Sequence, residues 1–197
     1  MKVSSFVRDG GLLVGINALP FEPVSAREGE PRTNVGVVVA DGRMVSPPRP
    51  GLDALVFLAD GSVAVMGQAE MRGMDGIVNA VGGFRRILED GFPVPEVLGL
   101  KVRHPRTAAG ISACGNFLYL LVVDGRRPGS VGSTEEETAL LLASLGARDG
   151  INLDGGGSSA LAVRLPNGRV RVVNTPIHGK IPGRERAVAG SIGVGRR

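Results

Sequence analysis

The stretch GINLDGGGSSALAV, residues 150–163, places a glycine loop between two apolar runs. Apolar residues alternate with Asn152 and Asp154, which is typical of a short strand with two different faces. Three consecutive glycines follow, and a fold keeps such a run only where backbone geometry or a close approach requires it, because glycine loses the most entropy on folding. A strand that delivers Asp154 into this loop predicts a functional site, and a tight strand connection is the alternative.

Length and composition bound the class of protein. The chain has 197 residues, of which 43% are hydrophobic, so it can bury a core as one domain over residues 1–197. No apolar run approaches the roughly 18 residues that would cross a bilayer. The net charge of +4 is dispersed, and one Tyr with six Phe is too few aromatic side chains for a base-stacking platform. We therefore expect neither a membrane span nor a nucleic-acid partner.

The single cysteine and the start of the chain bear on disulfides, zinc sites and localisation. Cys114 excludes an internal disulfide and a cysteine-rich zinc site. Residues 1–10 have no apolar core of a signal peptide, which indicates either a cytosolic protein or a chain without its upstream segment. The localisation stays open between these two.

Many short strands and few helices are predicted. Asp41-Gly42 and Asp60-Gly61 are hairpin signals between apolar runs. One helix is predicted over residues 133–145, because both Ser133 with Glu136 and Thr134 with Glu137 fit a capping box. The pattern indicates an α+β fold with a mixed β-sheet core and several hairpins. Strands are predicted over residues 12–17, 34–40, 43–46, 55–59, 62–66, 116–123, 151–154, 160–165, 169–174 and 187–194. The strand over 116–123 is apolar enough to be covered on both faces.

Asp124 also follows an apolar run and precedes a glycine, yet it differs from Asp41 and Asp60. A new strand begins directly after each of those two, whereas RRPGSVG follows Asp124 and cannot form the return strand of a two-residue hairpin. Ligands often bind at loops that follow strand ends, so Asp124 and Arg126 are candidate site residues. We expect the capped helix between Asp124 and Asp154 to bring both strand ends to the same edge.

The glycine loop fits few known motifs. A P-loop requires a Lys that is missing here. A nucleophile elbow requires a glycine where Ala160 stands, and only His104 and His178 could serve Ser158 or Ser159 as a base, so a serine hydrolase is a weak alternative. Glycine backbone N–H groups beside hydroxyls suit an anion such as phosphate, which predicts that the loop is an anion cradle.

An ordered series of segments resembles the phosphodiester glycosidase family, the group of the N-acetylglucosamine-1-phosphodiester α-N-acetylglucosaminidase domain and its bacterial relatives, some of them labelled exopolysaccharide-biosynthesis proteins. The series is GINALPF, HPRTAAGIS, LYLLVVDGR, ASLGA, INLDGGGSSAL, VVNTP and ERAVAGSIGV. Phe21 is a lone aromatic where the family usually has a Phe pair, and members generally have further strands and an export signal before the Asn17 segment. We therefore expect a chain that starts late, and an extracytoplasmic protein if an export segment precedes it.

The resemblance implies hydrolysis of the bond between a sugar's anomeric carbon and a phosphodiester oxygen, in a glycosyl phosphodiester or a polysaccharide. It implies Asp124 and Asp154 as catalytic residues. The substrate-binding residues that it implies are Asn17, Arg106, Thr107, Arg126, Asn152, Gly155, Gly156, Gly157, Ser158, Asn174 and Arg186.

The residue types suit this chemistry. Arginines and the glycine backbone would stabilise the phosphate, and either carboxylate would serve as nucleophile, general base or oxocarbenium stabiliser. No cofactor is expected; carboxylates near phosphate can hold Ca²⁺ or Mg²⁺, although no spacing demands a metal. The alternative function is a non-catalytic module that binds carbohydrates or sugar phosphates.

Overall fold

The computed structural model describes residues 1–24, 29–71 and 75–196, and it is built mostly of strands. The helices are α1 (Val3–Asp9) and α2 (Glu135–Ser144). The strands are β1 (Val14–Asn17), β2 (Phe21–Glu22), β3 (Thr33–Asn34), β4 (Val38–Ala40), β5 (Arg43–Ser46), β6 (Asp53–Leu58), β7 (Val63–Gly67), β8 (Ile77–Gly82), β9 (Arg85–Glu89), β10 (Phe92–Pro93), β11 (Arg106–Ser112), β12 (Leu118–Val123), β13 (Ala147–Asn152), β14 (Leu161–Arg164), β15 (Val170–Val172) and β16 (Ser191–Val194).

Three larger sheets form the molecule. Their strand orders are β15-β14-β1-β16, β5-β4-β8-β6-β7 and β10-β9-β13-β11-β12, and β2 pairs with β3 alone. We call the last of the three the site sheet. Every pairing between these strands is antiparallel, so the expected mixed core is in fact a set of antiparallel sheets within an α+β fold.

The order of the site sheet explains where its polar side chains meet. Both β12 and β13 are antiparallel to β11, so these two strands run in the same direction and end at the same edge. Arg106, the first residue of β11, lies opposite Val123, and Ala108 lies opposite Asn152. The prediction that the loops after residues 123 and 152 share one edge is therefore confirmed.

The core between the sheets holds this edge in place. Ile16, Leu55, Ile151 and Leu153 are fully buried in one cluster to which all three sheets contribute. Each such side chain stabilises the fold by about 1.5–3 kcal/mol through burial. Asn152 and Asp154 flank the buried Leu153, and are held by its packing.

Helix α2 has the predicted cap. Thr134 is the N-cap residue, its hydroxyl accepts from the Glu137 N–H at 3.1 Å, and the Glu137 carboxylate accepts from the Thr134 N–H at 3.0 Å. Ser133, the other candidate cap, instead forms a hydrogen bond between its hydroxyl and that of Thr138. Gly146 follows the helix with a φ of +98°, the left-handed conformation that glycine accepts most easily.

Strand β12 is an edge strand and is half-buried along its length, but side chains pack on both of its faces, as predicted. Leu118, Leu120 and Val122 pack against one hydrophobic cluster, and Tyr119 and Leu121 pack against another. Two other predictions were wrong in detail. The run over residues 34–40 is broken at Gly36, where a Cβ atom would come within 2.9 Å of the Gln68 side chain. Helix α1 was not predicted, although Val3 and Val7 stand one helical turn apart and are both buried.

The sequence predicts a loop over residues 18–31 and mixed strand and turn over residues 68–95. The first segment contains β2, and the second contains β8, β9 and β10. Residues 25–28 and 72–74 of these segments lie outside the described part of the chain. Within the described ranges, neither helix is long and apolar enough to cross a membrane.

Candidate active site

A cavity of about 350 Å³ opens at the edge where β12 and β13 end. Eight of the predicted site residues line it: Arg106, Arg126, Asn152, Asp154, Gly155, Gly156, Gly157 and Arg186. The other lining residues are Val24, Phe84, His104, Pro105 and Leu153. Six stretches of the chain that are far apart in sequence therefore meet around one space.

Asp154 is the carboxylate that lines this cavity within the described part of the chain. Burial raises its pKa to about 6, because an ionised carboxylate is poorly solvated there. A hydrogen bond from Ser158, the positive charge of Arg186 and the N–H of Gly155 act in the opposite direction. A carboxyl group with a pKa near neutrality can exchange a proton during a reaction at physiological pH.

Asn17 fixes the backbone at Asp154 from below the cavity. Its side-chain N–H donates to the Asp154 carbonyl at 2.5 Å, and its side-chain oxygen accepts from the Thr107 hydroxyl at 2.8 Å and from the Ala160 N–H at 3.0 Å. Asn17 and Thr107 are fully buried. These two predicted binding residues thus hold the strand end and the glycine loop together and do not line the cavity.

The glycine loop uses its backbone donors internally, contrary to the expected anion cradle. The Gly156 N–H donates to the Pro105 carbonyl at 2.8 Å and the Ser158 N–H to the Gly155 carbonyl at 3.2 Å. The Gly155 N–H points to the Asp154 carboxylate. Three of the four N–H groups between Gly155 and Ser158 are therefore already occupied.

The glycines instead make room for two arginines. A Cβ atom at Gly156 would lie 3.2 Å from both terminal nitrogens of Arg126, and one at Gly157 would lie 2.5 Å from Nη2 of Arg186. A side chain at either position would push a guanidinium away from the cavity. Arginine side chains, and not the loop backbone, supply the positive wall of this site.

Each of these two arginines is oriented by a histidine. Nη2 of Arg126 donates to Nδ1 of His104 at 3.0 Å, and Nε of Arg186 donates to Nδ1 of His178 at 3.1 Å. Nη1 of Arg186 also donates to the Ser158 hydroxyl at 3.3 Å. Burial lowers the pKa of His104, and the charges of Arg126 and Arg106 lower it further, whereas Glu135 raises it.

Arg106 lines the cavity but is bound differently. Its guanidinium pairs with Glu135 at 3.1 Å and donates to the carbonyls of Ser133 and Val102. Glu135 also accepts from the side-chain amide of Asn152 at 3.5 Å. Arg106 and Asn152 are thus held by the first residue of α2.

Asp124 and Asn174 do not line the cavity. The Asp124 carboxylate accepts from Arg127 at 2.8 Å, from the Asn174 amide at 3.0 Å and from the Thr175 N–H at 3.0 Å. Burial raises the pKa of Asp124, but these hydrogen bonds outweigh it and hold the pKa below its usual value. Asp124 ties the loop after β12 to residues 174–175.

Comparison of the sequence with known protein families identifies the family of this chain. A model of the family described as phosphodiester glycosidase matches residues 10–195. The chain belongs to this family.

The chain is also similar to one protein in sequence and to two solved structures in fold. Over 121 residues it is 34% identical to the SPbeta prophage-derived uncharacterized protein YomE of Bacillus subtilis (strain 168), covering 57% of this chain and 19% of YomE. Its fold is similar to the catalytic domain, auto-inhibited by pro-peptide, of zebrafish N-acetylglucosamine-1-phosphodiester alpha-N-acetylglucosaminidase, with a TM-score of 0.74, 20% identity, and coverage of 100% of this chain and 67% of that one. A crystal structure of a protein from Burkholderia pseudomallei K96243 gives a TM-score of 0.66 at 19% identity, over 98% of this chain and 68% of that one.

In this member of the phosphodiester glycosidase family, sequence reasoning missed four side chains at the site. The sequence indicates His104 and His178 only as possible bases for a serine and shows no metal-site spacing between them, whereas in the structure each ring contacts an arginine. Phe84 and Glu135 gave no signal, since an aromatic residue and an acidic first turn of a helix are common. Phe84 lines both the cavity and a neighbouring cleft of about 690 Å³.

Among residues 1–24, 29–71 and 75–196, no group of three or more His, Cys, Asp or Glu side chains could hold a metal ion. The serine-hydrolase alternative finds no support either, because Ser158 accepts from Arg186 and bonds to Asp154 and has no histidine partner.

Proposed function

We propose that this chain hydrolyses the glycosidic bond of a sugar 1-phosphodiester, releasing the free sugar and a phosphomonoester. The observation that carries this proposal is that Asp154, with its raised pKa, shares one cavity with the guanidiniums of Arg126 and Arg186. Family membership supports the reaction class, and the zebrafish neighbour is by its name an enzyme that acts on such a bond.

The two arginines suit the phosphate. A guanidinium binds phosphate oxygens through pairs of N–H donors, and in a site with little water such donors stabilise the charge that develops on a leaving group. When the bond between the anomeric carbon and oxygen breaks, its electron pair goes to the phosphate oxygen. A phosphate leaves readily as an anion, so this step needs no second carboxyl group to protonate it.

Asp154 suits the sugar side of the reaction. In its ionised form it faces the positive charge that develops on the sugar ring, and it takes the proton from the water that attacks the anomeric carbon. Ser158, Gly155 and the fixed backbone at Asn17 hold the carboxylate in one place. We propose Asp154 as the general base and Asp124 as a residue that supports the loop behind it.

The test is hydrolysis of a panel of glycosyl phosphodiesters, including a phosphodiester-linked polysaccharide, in ¹⁸O-labelled water with and without a chelator. The label should enter the sugar and not the phosphate, since the carbon–oxygen bond is the one that breaks. The sugar should be released with inversion at the anomeric carbon, as expected for a base and not a nucleophile. Label in the phosphate would overturn the proposal.

The non-catalytic alternative makes a different prediction. A binding module would retain sugar phosphates without releasing sugar from any member of the panel. Asp154→Asn should reduce kcat by about 10²–10⁴-fold if Asp154 is the general base. Saturable binding with no turnover by the wild-type chain would favour the alternative.

A further inference from the structure

The partner that orients the side chain distinguishes the two arginines over the glycine loop from others near them. Arg106, Arg127 and Arg86 each form an ion pair with a carboxylate. Arg126 and Arg186, the two that lie over the glycine loop, instead donate to an imidazole nitrogen. Neither of these two forms an ion pair within the described part of the chain. Burial lowers the pKa of Arg186 and the charge of Asp154 acts in the opposite direction, but the two side chains do not approach to ion-pair distance there.

The hydrogen bonds from the arginines select one tautomer of each imidazole ring. A guanidinium can only donate, so Nδ1 of both His104 and His178 must be the acceptor and carry no proton. The neutral ring then has its proton on Nε2. His178 is 94% buried, since only 6% of its surface is exposed, and its backbone N–H donates to the Arg184 carbonyl at 3.0 Å. The ring that orients Arg186 is therefore itself well fixed.

A neutral acceptor affects the charge of the arginine differently from a carboxylate. A carboxylate partner neutralises the guanidinium and competes with an incoming anion for its charge. An imidazole nitrogen fixes the direction of one N–H and leaves the full positive charge in place. In Arg186 the histidine occupies Nε and Ser158 occupies Nη1, whereas Nη2, next to Gly157 at the cavity, makes no hydrogen bond within the described residues.

We propose that His178 and His104 are positioning residues that orient the two cavity arginines through an uncharged acceptor, and so keep both positive charges available to an anionic ligand. The expected ligand carries a phosphate group with at least one negative charge. This inference rests on the proposed function for the identity of the anion, but it is tested by binding and needs no turnover.

The experiment compares substitutions at His178 that differ by one charge. Asparagine and aspartate have the same size and can each place an acceptor oxygen near the position of Nδ1, but only aspartate is charged. We expect His178→Asn to bind inorganic phosphate within about threefold of wild type, and His178→Asp to bind it at least tenfold more weakly. His178→Leu, which has no acceptor, should also bind at least tenfold more weakly. Binding is measured by calorimetry, and thermal unfolding confirms that each variant is folded.

Two controls keep the result specific. Asn167→Asp makes the same change of charge at a hairpin tip away from the cavity, where the side chain accepts from the Arg169 N–H, and it should bind phosphate as wild type does. The pair His104→Asn and His104→Asp repeats the comparison at a more exposed histidine, in case a variant at His178 does not fold.

The outcomes separate this inference from the proposed function. Equal phosphate binding by the Asn and Asp variants, or no phosphate binding by wild type, would overturn the inference even if sugar phosphodiesters are hydrolysed. A charge-dependent loss of binding would support it even if no member of the substrate panel is hydrolysed.

Discussion

The guanidinium of Arg186 lies so close to Gly157 that a Cβ atom at residue 157 would come within 2.5 Å of its Nη2 and 3.0 Å of its Cζ. Gly157 has no positive φ, so its backbone is open to any residue. The glycine is needed for the space above it and not for its backbone freedom. This separates it from Gly156, whose φ of +62° would strain any other residue.

We therefore predict that Gly157→Ala changes ligand binding more than stability. The methyl group should displace the end of the flexible Arg186 side chain and weaken phosphate binding about tenfold or more. The free energy of unfolding should change by about 1 kcal/mol or less, because no backbone strain is introduced. Calorimetric titration with phosphate and urea unfolding measure the two effects. Gly195→Ala is the matched control, since a Cβ atom there meets only an ordinary contact at 3.5 Å.

Asp124→Asn should lower stability at neutral pH. Its pKa is held below the usual value in the folded state, so its ionised form stabilises the fold above the unfolded pKa, and this contribution is lost as the pH falls through the folded pKa. The substitution weakens the charge-assisted hydrogen bonds from Arg127, Asn174 and Thr175. We expect a loss of about 1–3 kcal/mol in the free energy of unfolding at pH 7. A neutral or stabilising effect would contradict the structural role.

The two aspartates show what local sequence can and cannot predict. Both follow a strand and precede a glycine, and the order of strands in the site sheet does bring both loops to one edge. Their different surroundings arise from distant segments. Asn174 and Thr175 donate to the Asp124 carboxylate, whereas the charge of Arg186 acts on Asp154 and the Ala18 carbonyl accepts from its N–H. The sequence of either loop does not predict which distant residues will contact its aspartate.

Hairpins and caps were predictable for the opposite reason. The Asp41-Gly42 turn and the Thr134–Glu137 capping box are decided by residues within four positions of one another. The histidine–arginine pairs are not, because His104 and Arg126 lie on different loops that meet only when β11 and β12 pair. The same limit applies to the glycine loop, where the Gly156 N–H donates to the carbonyl of Pro105 in another segment.

Asn17 is predicted to contribute to stability through three partners at once. Asn17→Ala would leave the Ala160 N–H, the Thr107 hydroxyl and the Asp154 carbonyl without this partner in a buried setting. We expect a loss of about 2–4 kcal/mol in the free energy of unfolding, measured with urea. The exposed Asn79, which accepts one hydrogen bond from the Asp41 N–H, gives the control Asn79→Ala with a loss below about 1 kcal/mol.

The pH dependence of activity should follow Asp154. A general base acts in its ionised form, and burial raises the pKa of Asp154 to about 6. We therefore expect kcat/KM to rise with pH through an apparent pKa near 6 and to level off above about pH 7. Activity that is highest below pH 5 would show that the protonated carboxyl is the active form. The profile is measured on one phosphodiester of the panel at constant ionic strength.

Ionised Asp154 should lower the free energy of unfolding at neutral and higher pH. This effect is opposite in sign to that of ionised Asp124. The pKa of Asp154 is raised in the folded state, so its contribution to stability is fully present below the unfolded pKa of about 3.8 and is lost as the pH rises through about 6. Asp154→Asn resembles the protonated form at every pH. We expect this variant to be more stable than wild type by about 1–3 kcal/mol at pH 8 and equally stable near pH 3.5. Urea unfolding at the two pH values measures the difference, and a variant less stable than wild type at pH 8 would show that Arg186 and Ser158 stabilise the ionised carboxylate more than burial destabilises it.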